Sequence, residues 1–174
     1  MFATSEPHRV FHALKDRLDR IDLEEYTYEE LGEIVRINLP DVDFAKGLLG
    51  KIASVLRGNA RAAQKMAIKI QMWLDANGGY QFFSADWKDL MYTLGIAPLG
   101  LRAKEIEILR VLRDSRDCSL TRLGSKTGMT PESLRRDYEL YLMKKDLLEI
   151  STSGRNITPE GKDYLKQLEL EEAA

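Results

Sequence analysis

The residues best suited to chemistry in this chain are arginines gathered at the start of a helix. In "LRGNARAAQKM", residues 56 to 66, Gly58 stops one helix and Asn59 is placed to cap the next. Arg57 and Arg61 therefore sit beside the partially positive end of a helix, an unfavourable place for a cation unless an anion joins it. Arg61, Lys65 and Lys69 recur at i, i+4 and i+8 and line one face. One reading of that stripe is a solvated surface. The other is phosphate sensing, in which capping amides and an arginine receive a nucleotide's terminal phosphates.

A second basic set lies in the latter half. Arg135 and Arg136 fall on the outward side of a helix, where guanidinium groups can meet phosphates or guanine edges. Arg155 stands beside Gly154 and Asn156 in a Ser-Gly turn, where a glycine lets the backbone bend sharply and bring arginine to a duplex. The fourteen Lys/Arg from Arg102 to Lys166 are matched by fourteen Asp/Glu from Glu105 to Glu172, so weak DNA affinity is expected of this region alone. A protein-docking role is the competing reading. Arg17, in "LKDRLDR", is either a helix-surface charge or a group offered to a neighbour's nucleotide. His8 and His12 have metal-site spacing but no further ligand, and Cys118 has no histidine beside it, so neither a metal nor a nucleophile is assigned. No G-x-x-x-x-G-K-[ST] occurs, and the chain by itself is expected not to hold and hydrolyse ATP.

The elements that must position these groups read as mostly helix. The chain has 174 residues, 44% of them apolar, enough for one large or two small cores. Its net charge of −2 gives no global pull toward nucleic acid or anionic membrane. A single cysteine and the lack of a long apolar run point to a reducing, cytoplasmic setting and to no membrane. "FAT" at the start has the look of a strand end. Thr27 and Glu30 form a capping box for a first helix. Asp43 is expected to cap a helix running to about Arg57, with Val42, Leu48, Leu49, Ile52 and Val55 in the core. A helix from about Ala60 to Ala76 ends at "NGG", and Ser84 should cap the next. "GIAPLG" reads as a linker. Beyond it come two short helices, a longer one opened by Thr130 and Pro131, and two strands around a Ser-Gly turn. Over 100–168 that outline is a winged helix.

Four stretches, in order and spacing, carry a resemblance to a known family: "PHRVFHALKDRLDRIDLEEYTYEELGEIV", "RGNARAAQKM", "LMYTLGIAPLGL" and "LRRDYELYLMKKDLLEISTSGRNITPEG". Together they resemble the latter part of RuvB, the Holliday-junction branch-migration motor of the AAA+ ATPase class, over nearly the whole chain. The resemblance implies a mainly α fold in three parts. Residues 1–19 would be the end of an AAA+ core, 20–97 a helical lid domain, and 98–174 a winged-helix domain with a small β-hairpin wing. It implies that Arg61 is the lid's nucleotide-sensing arginine, facing the γ-phosphate of ATP, and that Arg17 lies near a subunit boundary. Arg135, Arg136, Arg155 and Asn156 become the DNA-binding set. ATP is then a cofactor only beside a complete AAA+ core. Duplex or junction DNA, that core and neighbouring subunits of a hexamer are the expected partners. The family's arginine finger falls near Glu6 and Arg9 and is not assigned. Arg135 and Arg136 stand where the family has acidic residues, and Leu140 where a proline is usual. The alternative is a stand-alone winged-helix DNA-binding or regulatory adaptor without ATPase activity.

Overall fold

A computed structural model describes residues 3, 4 and 7–172. Phe2 and Glu6 lie outside the described residues, and Ala3 and Thr4 carry no strand, so the expected strand end is not found there. From the short helix α1 (His12–Lys15) to Tyr26 the chain runs exposed, with Phe11, Ile21 and Leu23 each at least 77% accessible.

The first core forms around three helices. In α2 (Tyr28–Ile37), Thr27 Oγ1 accepts from Glu30 N at 3.2 Å while Glu30 Oε2 accepts from Thr27 N at 2.8 Å, the reciprocal cap expected from the spacing. Leu31 and Val35 face α3 (Leu48–Ser54) and α4 (Ala60–Asn77), whose buried Ile52, Ala63, Met66, Ile70 and Leu74 complete the interior. Asp43 does not cap a helix. Instead Asp43–Phe44 form β1, paired in parallel with Gln81–Phe82 (β2), and α3 starts only after left-handed Gly47. Phe44 and Phe82 meet edge to face at 6.0 Å, and burying this aromatic pair outweighs the capping preference of Asp43. Ser84 is likewise not the cap of α5 (Ser84–Leu94). Phe83 holds that position, and Asp86 reaches back to its amide at 2.8 Å.

The second core gathers α6 (Ala103–Arg113), α7 (Leu120–Thr127), a helix over 131–144 (α8) and the antiparallel hairpin of β3 (Leu148–Ile150) and β4 (Arg155–Ile157). Thr130 Oγ1 caps α8 from Ser133 N, with Pro131 at its first position as expected. The closing "TPEG" is not strand: Thr158 Oγ1 accepts from Gly161 N and starts α9 (Pro159–Glu172), which returns Leu165 and Leu168 to the core. No helix among the described residues is long and apolar enough to cross a membrane.

The stretch between the cores is pinned rather than loose. Ala97 N donates to Leu101 O at 2.8 Å, closing a tight turn through left-handed Leu99 and Gly100. The Tyr164 hydroxyl donates to Pro98 O at 2.9 Å, and the Tyr141 hydroxyl to Leu99 O at 2.5 Å. Burial pushes the Tyr141 phenol up to about 12 and that of Tyr164 higher still, so both remain donors at neutral pH. A Cβ on Gly100, whose φ is +74°, would lie 2.3 Å from Val55 O. Gly100→Ala is therefore expected to lower stability by about 2 kcal/mol or more, read as a fall in the urea midpoint. An unchanged midpoint would mean the joint is not this tightly packed.

Candidate functional site

The turn from α3 into α4 answers the question posed by its two arginines differently for each. The chain reverses through consecutive left-handed residues, Arg57 (φ +55°) and Gly58 (φ +71°). Arg57 is an unusual residue for that conformation, and its side chain accounts for it. Nη1 and Nη2 lie 2.9 and 2.7 Å from the Glu105 carboxylate, whose side chain is only 3% exposed. Nη2 also donates to Gly100 O, and the guanidinium lies 3.9 Å from the centre of the Tyr141 ring. Arg57 thus has an internal anion. Arg61 does not: its side chain is exposed and makes no ion pair among the described residues.

The capping amides are already in use. Asn59 Oδ1 accepts from Arg61 N at 2.9 Å and Ala62 N at 3.2 Å, so a phosphate at this helix start would be met chiefly by the Arg61 side chain. Arg61 opens onto a shallow hollow of about 470 Å³, lined also by Glu24, Glu25 and Tyr26. Lys65 is exposed and Lys69 half-buried farther along the same helix, and Arg17 lies on the exposed opening segment. Among the described residues no cluster of three His, Cys, Asp or Glu could hold a metal ion.

In the winged half, Arg135 and Arg136 are exposed on α8. Arg136 meets Glu132 at 3.3 Å with both side chains more than three-quarters exposed, a contact worth little against water. Residues Leu134–Glu139 of this helix are π-helical. At the α-helical 100° per residue, positions five apart end ~140° from one another; i→i+5 bonding brings them onto one face. Glu139 is thereby buried beside Leu134.

Buried Glu139 explains why Arg155 is not at the wing tip. Arg155 Nε lies 2.6 Å from Glu139 Oε1 and Nη2 3.3 Å from Oε2, the two side chains being 15% and 4% exposed. The tip is Ser151–Gly154 instead, where Ser151 N donates to Gly154 O. Asn156 also faces inward: its Oδ1 accepts from Asp117 N at 2.9 Å and its Nδ2 donates to Asp117 Oδ1 at 3.1 Å. Hydrogen bonds from Ser153 first, and then Asn156, hold the Asp117 carboxyl below the usual carboxylate range. Cys118, fully buried, pairs its backbone with Arg155 and makes the wing three-stranded at that point. Gly154 is required there, since a Cβ would sit 2.6 Å from Asp117 C.

Sequence reasoning did not identify Glu105, Glu139 or Asp117. Glu105, three residues after Arg102, carries a capping signal, and its Oε2 does accept from Arg102 N at 2.9 Å. Nothing in the spacing marks Glu139, because the π-helical register that buries it is a tertiary effect.

A helix-turn-helix followed by a wing defines the second half as a winged helix. Residues 98–166 match the family model for the RuvB C-terminal winged helix domain. The chain is 26% identical to the Holliday junction branch migration complex subunit RuvB of Ehrlichia canis, covering 95% of the chain and 52% of that protein. For the Thermotoga maritima subunit the identity is 25%, over 94% of the chain and 51% of that protein. In structure, a point mutant of Thermotoga maritima RuvB superposes with a TM-score of 0.74 at 25% identity, over 90% of this chain and 54% of that one. The structure described as the Thermotoga maritima RuvB Holliday junction branch migration motor gives 0.72 at 26% identity, over 83% and 50%. The chain spans about half the length of the curated relatives it matches. Residues 98–166 are thus similar to the RuvB C-terminal winged helix domain, and the chain as a whole is similar to the C-terminal region of RuvB subunits.

Removing one partner of the wing pair strands a buried charge. Arg155→Ala is expected to cost about 3 kcal/mol, while the double change Arg155→Met with Glu139→Leu recovers most of the loss. Chemical denaturation of the three proteins measures both. Equal stability of Arg155→Ala and the parent would contradict the internal role of this arginine.

Proposed function

We propose that this chain provides the lid, over residues 20–97, and the DNA-facing winged helix, over 98–174, of an ATP-driven RuvB-like motor acting on branched or duplex DNA. Residues 1–19 form the end of its AAA+ core. In this reading Arg61 contacts the γ-phosphate of ATP held by the core, with Arg17 near the boundary to a neighbouring subunit. Arg135 and Arg136 meet the DNA backbone. Arg155 and Asn156 serve the interface by fixing the wing on which the tip residues approach the duplex. The partners are junction DNA, the AAA+ core and neighbouring subunits of a ring, in the cytoplasm.

One observation carries the reading: Arg61 is an exposed arginine at a capped helix start, with no ion pair among the described residues, beside a neighbour that has one. Cations are disfavoured at that end of a helix, so an outside anion is the simplest reason to keep one there. The stand-alone adaptor is less favoured, because the match to RuvB relatives runs through both halves rather than the winged helix alone.

Two measurements test this. Fluorescence anisotropy with a labelled duplex and a four-way junction should show weak binding that falls with salt; Arg135→Ala and Arg136→Ala should each flatten the salt slope by about 1. Salt-independent binding, or none even at low salt, would remove the DNA role. In the motor assembled with its AAA+ core, Arg61→Ala should slow ATP turnover roughly 10- to 100-fold, the worth of a charged hydrogen bond, with nucleotide affinity much less affected. Undiminished turnover would remove the sensing role.

A further inference from the structure

Three successive carbonyls of the joint between the halves are each held by a different side chain. Tyr164 binds that of Pro98, Tyr141 that of Leu99, and Arg57 that of Gly100. The two tyrosines belong to the winged helix, and Arg57 belongs to the turn that leads into Arg61. The Arg57 guanidinium is occupied on three sides, by the Glu105 carboxylate, the Gly100 carbonyl and the Tyr141 ring face. Its anion is buried and fixed in turn, since Glu105 Oε2 also accepts the Arg102 amide at the start of α6. Arg57 and Gly58 are the left-handed pair that sets the direction of α4. Any reorientation of the Arg61 turn must therefore drag this guanidinium out of its socket or carry the socket along. A second tie runs parallel on the surface, where Lys144 pairs with Glu25 and Lys145 Nζ lies 3.3 Å from the Tyr28 hydroxyl.

We propose that Arg57 is a positioning residue that locks the Arg61 turn to the winged helix, so that the two halves move as one lever and not about a hinge at residues 95–100. The rigidity stands on the contacts alone; its use, passing a phosphate-driven shift of the turn to DNA, rests on the function proposed above.

Electron-spin distance measurement on the full chain tests the lock. Labels at Gln71→Cys on α4 and Gln167→Cys on α9 occupy exposed positions, and Cys118 is buried. The parent should give a single narrow distance. Arg57→Gly removes the guanidinium yet suits the positive φ, and should lose that narrow distance to a broad distribution with helix content intact by circular dichroism. Glu105→Gln, which keeps shape but not charge, should broaden it part of the way and replaces Arg57→Gly if that variant fails to fold. A distance that stays narrow in the folded variant overturns the proposal.

Amide spectra then read transmission. Adding a short duplex to the parent should shift the amides of Gly58, Asn59 and Arg61 as well as those of α8; in Arg57→Gly, the shifts in the turn should disappear while duplex affinity is retained. Turn shifts that persist in Arg57→Gly overturn the coupling. If the parent binds no duplex, the DNA reading fails, and the distances alone decide the lock.

Discussion

The arrangement of this molecule depends on one part-buried ion pair, Arg57 with Glu105. Its acid sits at the first turn of the second core and its base in the last turn before the longest helix of the first. Without it the halves would be joined by the 97–101 turn, the two tyrosine hydrogen bonds and a few exposed contacts. Such a pair contributes little net stability, because desolvating both charges offsets most of their attraction. What it contributes is geometry. A planar guanidinium bonded to a carboxylate and a carbonyl, with an aromatic face against it, has few alternative poses. A left-handed arginine, costing about 1 kcal/mol or more in backbone strain, is tolerated because the surrounding contacts hold it.

The winged helix repeats the device at its own scale. Glu139 is drawn inward by a π-helical stretch and holds Arg155 from the first position of β4. In both places a buried glutamate fixes an arginine from a distant part of the chain. The consequence for function is a division of labour among the arginines. Arg57 and Arg155 are internal fasteners, whereas Arg61, Arg135 and Arg136 remain exposed to solvent.

How far the sequence disclosed this follows from what each signal depends on. Local signals were legible: the Thr27 and Thr130 caps, the stop at Gly78, the Asn59 cap and the two-stranded wing all rest on residues within a few positions of one another. So were the core positions Leu48, Ile52 and Val55, set by helical periodicity. What was hidden depends on residues far apart. Asp43 looks like a helix cap until its partner strand, 38 residues on, claims it. Arg57 and Arg61 are alike in spacing, and only the return of Glu105 from another core separates them. Arg155 reads as a wing-tip residue because its neighbours are turn formers; a change of helical register in α8 turns it inward. The C-terminal α9 is the exception: its signal is local, a Thr158 cap followed by Pro159, and it was not identified.

The balanced charge of the winged helix bears on how such a module would hold DNA. With the charges of 102–172 balanced and Arg155 committed to Glu139, the module has no net positive charge to draw it to phosphates. Each neutralised phosphate contributes to affinity and to salt dependence, so an isolated copy should bind weakly. In a ring, several weak modules raise one another's effective concentration on the same duplex, and hold is regained without any single tight contact. A weak individual grip also suits a translocating motor, since each copy must let go before the next step. On the proposed function a rigid joint would matter more than the affinity: a lever that holds loosely could still move DNA, provided it did not bend between the nucleotide and the groove.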